Sequence, residues 1–179
     1  EQASALKVYQ RTPAYSMPAK NRPLENSEVS AMKEHYRSYR GEQQLAPAAI
    51  VDPPRPTESW HMVDEEARED CYNKAWDSGL LIAMQSTFSD IQLDQQANDH
   101  ISSYIHGRIR GQVNDPDTAE ALMPRTYPFA TKRPCLDTNY YETYNLDHVE
   151  LVDLNKTPIV EITETGIKTI AGEDSFDAI

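Results

Sequence analysis

Lys132 and Arg133 are adjacent cations in a chain of formal net charge -12, with no acid within three residues on either side. Pro128 and Pro134 flank them and stiffen the backbone. Arginine stays charged and offers a planar fork of five donors, whereas lysine is a compact point charge. Side by side they suit a phosphate or a developing oxyanion; a solvent-facing basic turn is the alternative. A second basic punctuation, Gln10-Arg11-Thr12-Pro13, follows a strand-like stretch at residues 5–9. In a dinucleotide-binding fold the residue just beyond the second strand meets the adenosine ribose, and a basic side chain there favours a 2′-phosphate. The glycine-rich turn of such a fold lies about 20 residues earlier, which here falls before Glu1. A solvated surface arginine is the plain alternative for Arg11.

Other polar groups point less clearly to chemistry. His100 and His106 fall on different faces of a helix, and His35, His61 and His148 lie in separate segments, so no histidine set for catalysis or metal binding is expected. Cys71 and Cys135 have no CxxC or Cys-His spacing. Buried free thiols in a reducing, cytoplasmic compartment are expected instead. Glu65, Glu66, Glu69 and Asp70 read as a solvated helix face, and Tyr140, Tyr141 and Tyr144 as core with satisfied hydroxyls.

These residues need elements to position them. Val29, Met32, Tyr36 and Tyr39 are spaced as on one helix face over residues 26–40, with Ser27 as N-cap. Residues 45–57 hold four prolines and read as a stiff loop. A second helix is expected over 64–84, opened by Asp64-Glu65-Glu66 and interrupted at Gly79. A third is expected over 94–110, with Ile101, Tyr104, Ile105 and Ile109 on one face and Gly111 as its stop. Asp115-Pro116-Asp117 starts a short helix by the N-cap and N1-proline rule. Beyond Pro124, residues 127–137 read as irregular and 138–145 as a brief aromatic helix. Residues 149–154 read as a buried strand, 158–169 as a hairpin around Glu164-Thr165-Gly166, and the last residues as another strand.

At 179 residues, 39% hydrophobic and 26% charged, the chain is globular in composition. No apolar run approaches the ~20 residues of a membrane span. The acidic balance argues against a nucleic-acid surface. The opening at Glu1 and the close on Phe176-Asp177-Ala178-Ile179 read as a segment of a longer protein, with strand partners missing at both ends.

Three runs carry a family resemblance: KVYQRTPAYSMPAKNRPL (7–24), DPDTAEALMPRTYPFATKRPCLDTNYYETYN (115–145) and VELVDLNKTPIVEITETGIKT (149–169). In that order the chain resembles an internal portion of the Baeyer–Villiger monooxygenases, class B flavoproteins akin to cyclohexanone and phenylacetone monooxygenases. The fold this implies is α/β, part of a Rossmann-like NAD(P)-binding domain interrupted by a mostly helical insert and truncated at both ends. Residues 1–25 then belong to the NADP-binding domain and 26–123 to the insert. Residues 124–179 return to the NADP-binding domain and start a strand towards the FAD domain of the same chain.

The resemblance also implies FAD and NADPH as cofactors. It implies O2 and a small-molecule ketone as substrates and an ester or lactone as product; from charge and hydropathy no membrane or nucleic-acid partner is expected. By the same resemblance Arg133 matches the active-site arginine that stabilises the flavin peroxide, while Lys132, Arg11 and Thr12 match positions that hold the 2′-phosphate. An N- or S-oxidising flavin monooxygenase and a non-catalytic nucleotide-binding or helical interaction module remain as rivals. Ala130 stands where the family usually has glycine, a mild change unless the backbone there needs positive φ. The glycine-rich FAD and NADPH turns are absent from the 179 residues, so the segment alone is expected to be inactive.

Overall fold

Leu6-Lys7-Val8-Tyr9-Gln10 forms β1 (Leu6–Gln10), and its hydrogen-bonding partner is β4 (Val149–Asp153), running parallel from Leu6↔Val149 to Gln10↔Asp153. Parallel neighbours cannot be joined by a tight turn, so the chain between them makes a long crossover. The computed structural model describes residues 3–46, 49–51, 56–80 and 82–179. The prolines expected to stiffen a loop at 47, 53 and 54 lie outside the described residues.

The chain divides into two compact units. The first comprises Glu1–Ala14, His106–Thr126 and Asn139–Ile179; the second comprises Tyr15–Ile105 and Tyr127–Thr138. In the first unit, β1 and β4 stand beside a three-stranded antiparallel sheet of β5 (Ile159–Ile162), β6 (Gly166–Thr169) and β7 (Gly172–Ser175). The hairpin and the final strand are thus as expected. β4 is only half-buried, not the buried strand expected. Lys7 donates to Asp174 at 2.7 Å and lies 3.1 Å from Glu150, while the Tyr9 hydroxyl donates to Asp174 at 2.8 Å. One carboxylate on β7 therefore ties down two side chains of β1.

The short helix α4 (Pro116–Ala121) starts by the expected device: Asp115 accepts the Thr118 N–H at 2.8 Å, and Pro116 occupies the first turn. Helix α5 (Tyr140–Thr143) is the brief aromatic helix. Tyr141 is 1% exposed, whereas Tyr140 is exposed and takes the Tyr144 hydroxyl at 2.9 Å.

The second unit is mostly helical. Helix α1 (Asn26–Leu45) begins from Glu25, not Ser27: the Glu25 N–H donates to the Glu28 carboxylate at 2.7 Å, and Arg22 pairs with that carboxylate. An acid three residues into the helix can satisfy an orphan donor and its dipole together, which a lone serine cannot match. The arginine and that N–H hold the Glu28 carboxyl at a pKa of about 2.

Helix α2 (Glu65–Asp77) is capped by Asp64 and ends before Gly79. Gly79 stops the helix: its φ is +70°, and a Cβ there would lie 2.5 Å from the Ala19 carbonyl oxygen. Helix α3 (Gln95–Gln112) runs on through Gly111, contrary to the expected stop. Gly111 has no positive φ, and the Asn145 amide donates to the Gln112 carbonyl at 2.7 Å. That distant side chain satisfies a terminal carbonyl, the task a left-handed glycine cap otherwise performs.

The core of the second unit gathers Trp60, Tyr72, Trp76, Met84, Phe88 and Ile91 against Ala97, Ile101 and Ile105 of α3, the last three with no exposure. At about 25 cal/mol per Å2, residues of this size each contribute roughly 1.5–3 kcal/mol on burial. Two strands unforeseen from the sequence complete the unit: β2 (Ser16–Pro18) and β3 (Cys135–Asp137), parallel from Ser16↔Cys135 to Pro18↔Asp137. The Ser16 hydroxyl donates to Asp137 at 2.5 Å.

Candidate functional site

The loop carrying Lys132 and Arg133 is fixed before and after the cations. Asn98, 5% exposed on α3, accepts the Phe129 N–H at 2.9 Å and donates to the carbonyls of Phe129 at 3.1 Å and Ile91 at 2.9 Å. One buried amide thus clamps the loop to the helical core. The Thr131 N–H donates to the Pro128 carbonyl at 3.3 Å, closing a turn whose third residue, Ala130, has φ +67°. That is the position where a type II turn calls for glycine. Pro134 is buried, and the Cys135 N–H donates to the Tyr15 carbonyl at 2.9 Å. Thr131, Lys132 and Arg133 are left exposed between these two fixings.

Among the described residues neither Lys132 nor Arg133 is ion-paired. The Lys132 Nζ lies 4.3 Å from the centroid of the Tyr127 ring, over its face. Burial pushes the Tyr127 phenol pKa up and keeps it neutral, so the ring presents its electron-rich face to the ammonium.

Arg11 stands immediately beyond β1, as expected, with its side chain exposed and Thr12 half-buried. Its backbone is held: the Asn155 amide donates to the Arg11 carbonyl at 2.7 Å, and the Leu154 N–H to the Gln10 carbonyl at 2.8 Å. Asn155 is set in turn by Asp153, which accepts from its backbone N–H at 3.0 Å and its amide at 2.9 Å. No described residue forms an ion pair with Arg11. The fold therefore ends a parallel strand in an arginine whose charge is not taken up locally.

Arg11 and Thr12 belong to the first unit, Lys132 and Arg133 to the second. A cleft of about 540 Å3 in the first unit is lined by Lys7, Asp117, Glu150, Asp153 and Asp174 among others, and contains none of the four. Its carboxylates would repel a phosphate. Asn98, Asn155 and Tyr127 were not singled out by sequence, because an amide or ring that acts by holding a loop leaves no local pattern. Of the cysteines, both are free, but Cys71 is only half-buried and Cys135 is exposed. Cys135 opens a three-residue strand whose side chains point mostly outward, so the expectation of two buried thiols is corrected. Among the described residues no group of three or more His, Cys, Asp or Glu is placed to hold a metal ion, and no helix is long and apolar enough to cross a membrane.

The parallel β1/β4 pair and the helical stretch that the chain inserts between its strands make an α/β fold. No family model matches the chain. It is 38% identical to cyclohexanone 1,2-monooxygenase of Acinetobacter sp. over 175 residues, covering 96% of this chain and 31% of that protein. It is 35% identical to phenazine N-monooxygenase PhzNO1 of Lysobacter antibioticus, covering 95% of this chain and 31% of that protein. Among solved structures, the OTEMO complex with FAD and NADP superposes with a TM-score of 0.92 at 32% identity, covering 98% of this chain and 33% of that one. Over nearly its whole length the chain is similar to Baeyer–Villiger monooxygenases, and it spans about a third of the length of the curated relatives it matches.

Proposed function

We propose that residues 1–179 form the NADPH-binding share and helical insert of an FAD- and NADPH-dependent monooxygenase. Its reaction inserts one oxygen atom of O2 beside a ketone carbonyl to give an ester or lactone. Residues 1–25 and 124–179 serve the cofactor domain and 26–123 the insert, with the FAD domain supplied by the rest of the polypeptide, in the cytoplasm. The observation that carries the reading is the exposed Lys132-Arg133 pair, fixed on both flanks and not ion-paired among the described residues, in a chain 38% identical to a cyclohexanone 1,2-monooxygenase.

Arg11, Thr12 and Lys132 are each of a type that suits a phosphate monoester. Arg11 offers a bidentate fork from a held backbone, Thr12 a hydroxyl and Lys132 a point charge. Each charge-assisted bond is worth roughly 1.5–3 kcal/mol. Arg133 serves as a permanent cation towards negative charge on the reacting oxygen, a role typically worth roughly 3–4 kcal/mol in a dry site. The 179 residues contain no glycine-rich turn, so they do not cradle FAD, and we expect no turnover from them alone. When bound, NADPH supplies reducing equivalents and FAD the centre at which O2 is activated.

A second reading is N-oxidation, favoured by the 35% identity to a phenazine N-monooxygenase. In the full-length protein, ketones and aromatic amines are assayed side by side with Arg133→Ala. Ester or lactone formation that falls by two to three decades supports the proposal. Product formation within a few-fold of wild type removes Arg133 from catalysis, and oxygenation of amines alone favours the second reading.

A further inference from the structure

Lysine has four rotatable side-chain bonds, and an exposed lysine loses part of its rotamer freedom when it grips a ligand. Lys132 is exposed, yet its ammonium is seated 4.3 Å over the Tyr127 ring. The turn closed by Thr131 and Pro128, with Ala130 at φ +67°, folds the chain back so that residue 132 returns over residue 127.

The ring itself is fixed. Tyr127 meets Tyr15 edge to face, with centroids 5.6 Å apart at 89°. Tyr15 is 3% exposed, meets Phe129 at 5.1 Å and 84°, and donates its hydroxyl to Ser102 on α3 at 3.1 Å. An aromatic chain therefore runs from the helical core through Tyr15 to Tyr127 and ends on the ammonium. One side of the ammonium faces the ring, and its remaining donors are free to meet a phosphate.

We infer that Tyr127 is a positioning residue: it seats the Lys132 ammonium for the 2′-phosphate of NADPH and so sets part of the preference for NADPH over NADH. The inference rests on the reading of Lys132 given under Proposed function. Tyr127 makes no phosphate contact in this role; it lowers the entropy that Lys132 loses on binding. Phenylalanine keeps the ring face and should keep the role, whereas leucine keeps the bulk and loses it.

The test uses the full-length protein and calorimetric titration with adenosine 2′,5′-bisphosphate and with 5′-AMP. Tyr127→Leu should weaken the bisphosphate about 2–5-fold and leave 5′-AMP unchanged, while Tyr127→Phe binds both like wild type. A readout independent of binding is the ring-current shift of the Lys132 ε-methylene protons, moved upfield in wild type and Tyr127→Phe. Those protons at ordinary positions in wild type would overturn the inference even if Tyr127→Leu failed to fold. Equal weakening of both nucleotides, or no rescue by phenylalanine, also overturns it. Lys132→Ala separates the two claims: if it weakens both nucleotides equally or neither, the reading of Lys132 falls; if it weakens only the bisphosphate and Tyr127→Leu does not, only the positioning role falls.

Discussion

Ala130→Gly should make the protein more stable. Ala130 holds φ +67° in the turn that presents Lys132 and Arg133. A left-handed backbone costs an L-residue with a Cβ roughly 1–2 kcal/mol, a penalty that glycine escapes. Glycine gives back about 0.4–1 kcal/mol through its freer unfolded chain. The turn is held by Asn98 on one side and by the Thr131–Pro128 bond on the other, so alanine has little room to relax to negative φ. The net gain is about 0.5–1 kcal/mol, or about 1–4 °C in melting temperature for a chain of this size. Urea unfolding followed by the fluorescence of Trp60 and Trp76 reports it, because both are 4% exposed and lie in the unit that carries the loop. Ala130→Val should move the other way by at least about 1 kcal/mol, since a β-branched residue at positive φ is a true outlier. A glycine variant no more stable than wild type, together with a tolerated valine, would refute the reasoning.

Asn98→Ala removes three hydrogen bonds to backbone groups around Phe129 and Ile91 and leaves those groups without that partner. It should cost about 2–4 kcal/mol in urea unfolding, and a loss under 1 kcal/mol would show that water replaces the clamp. His106 is 8% exposed, and its Nε2 donates to the Pro124 carbonyl at 2.8 Å; burial pushes its pKa below the ordinary 6.5. The unfolded chain thus takes up this proton first, so unfolding free energy should fall as pH drops from about 6.5 towards the folded pKa. His106→Gln should flatten that slope in pH-dependent urea melts, and an unchanged slope would assign it to another group.

The elements that announced themselves in the sequence are those with local causes. Asp64 and Asp115 cap the helices that follow them, and Thr163-Glu164-Thr165 joins the strands of the β5/β6 hairpin. Arg11 past β1 and the Lys132-Arg133 loop were visible for the same reason: charge beside a strand end or between prolines is a local pattern. The β2/β3 pair was not visible. Its three-residue strands have no periodicity to read, and Ser16 and Asp137 meet across 121 positions of sequence. Gly79 and Gly111 show the same divide. Both look like helix stops, but only Gly79 has φ > 0, and the end of α3 is decided by Asn145, far along the chain. Asn98 clamps a loop that the sequence reads as irregular, and Tyr127 lies beneath Lys132 within it, so their partners had to be seen in space.

The proposal to be tested first is that Arg11 and Lys132 each contribute to recognition of the phosphate that distinguishes NADPH from NADH. The most direct measurement is the ratio of kcat/KM for NADPH over NADH in the full-length protein and in its Arg11→Ala and Lys132→Ala variants. Loss of a charge-assisted bond worth roughly 1.5–3 kcal/mol should lower that ratio by about 10–150-fold in each variant, with kcat/KM for NADH nearly unchanged. An equal fall for both cofactors, or an unchanged ratio, would contradict the account.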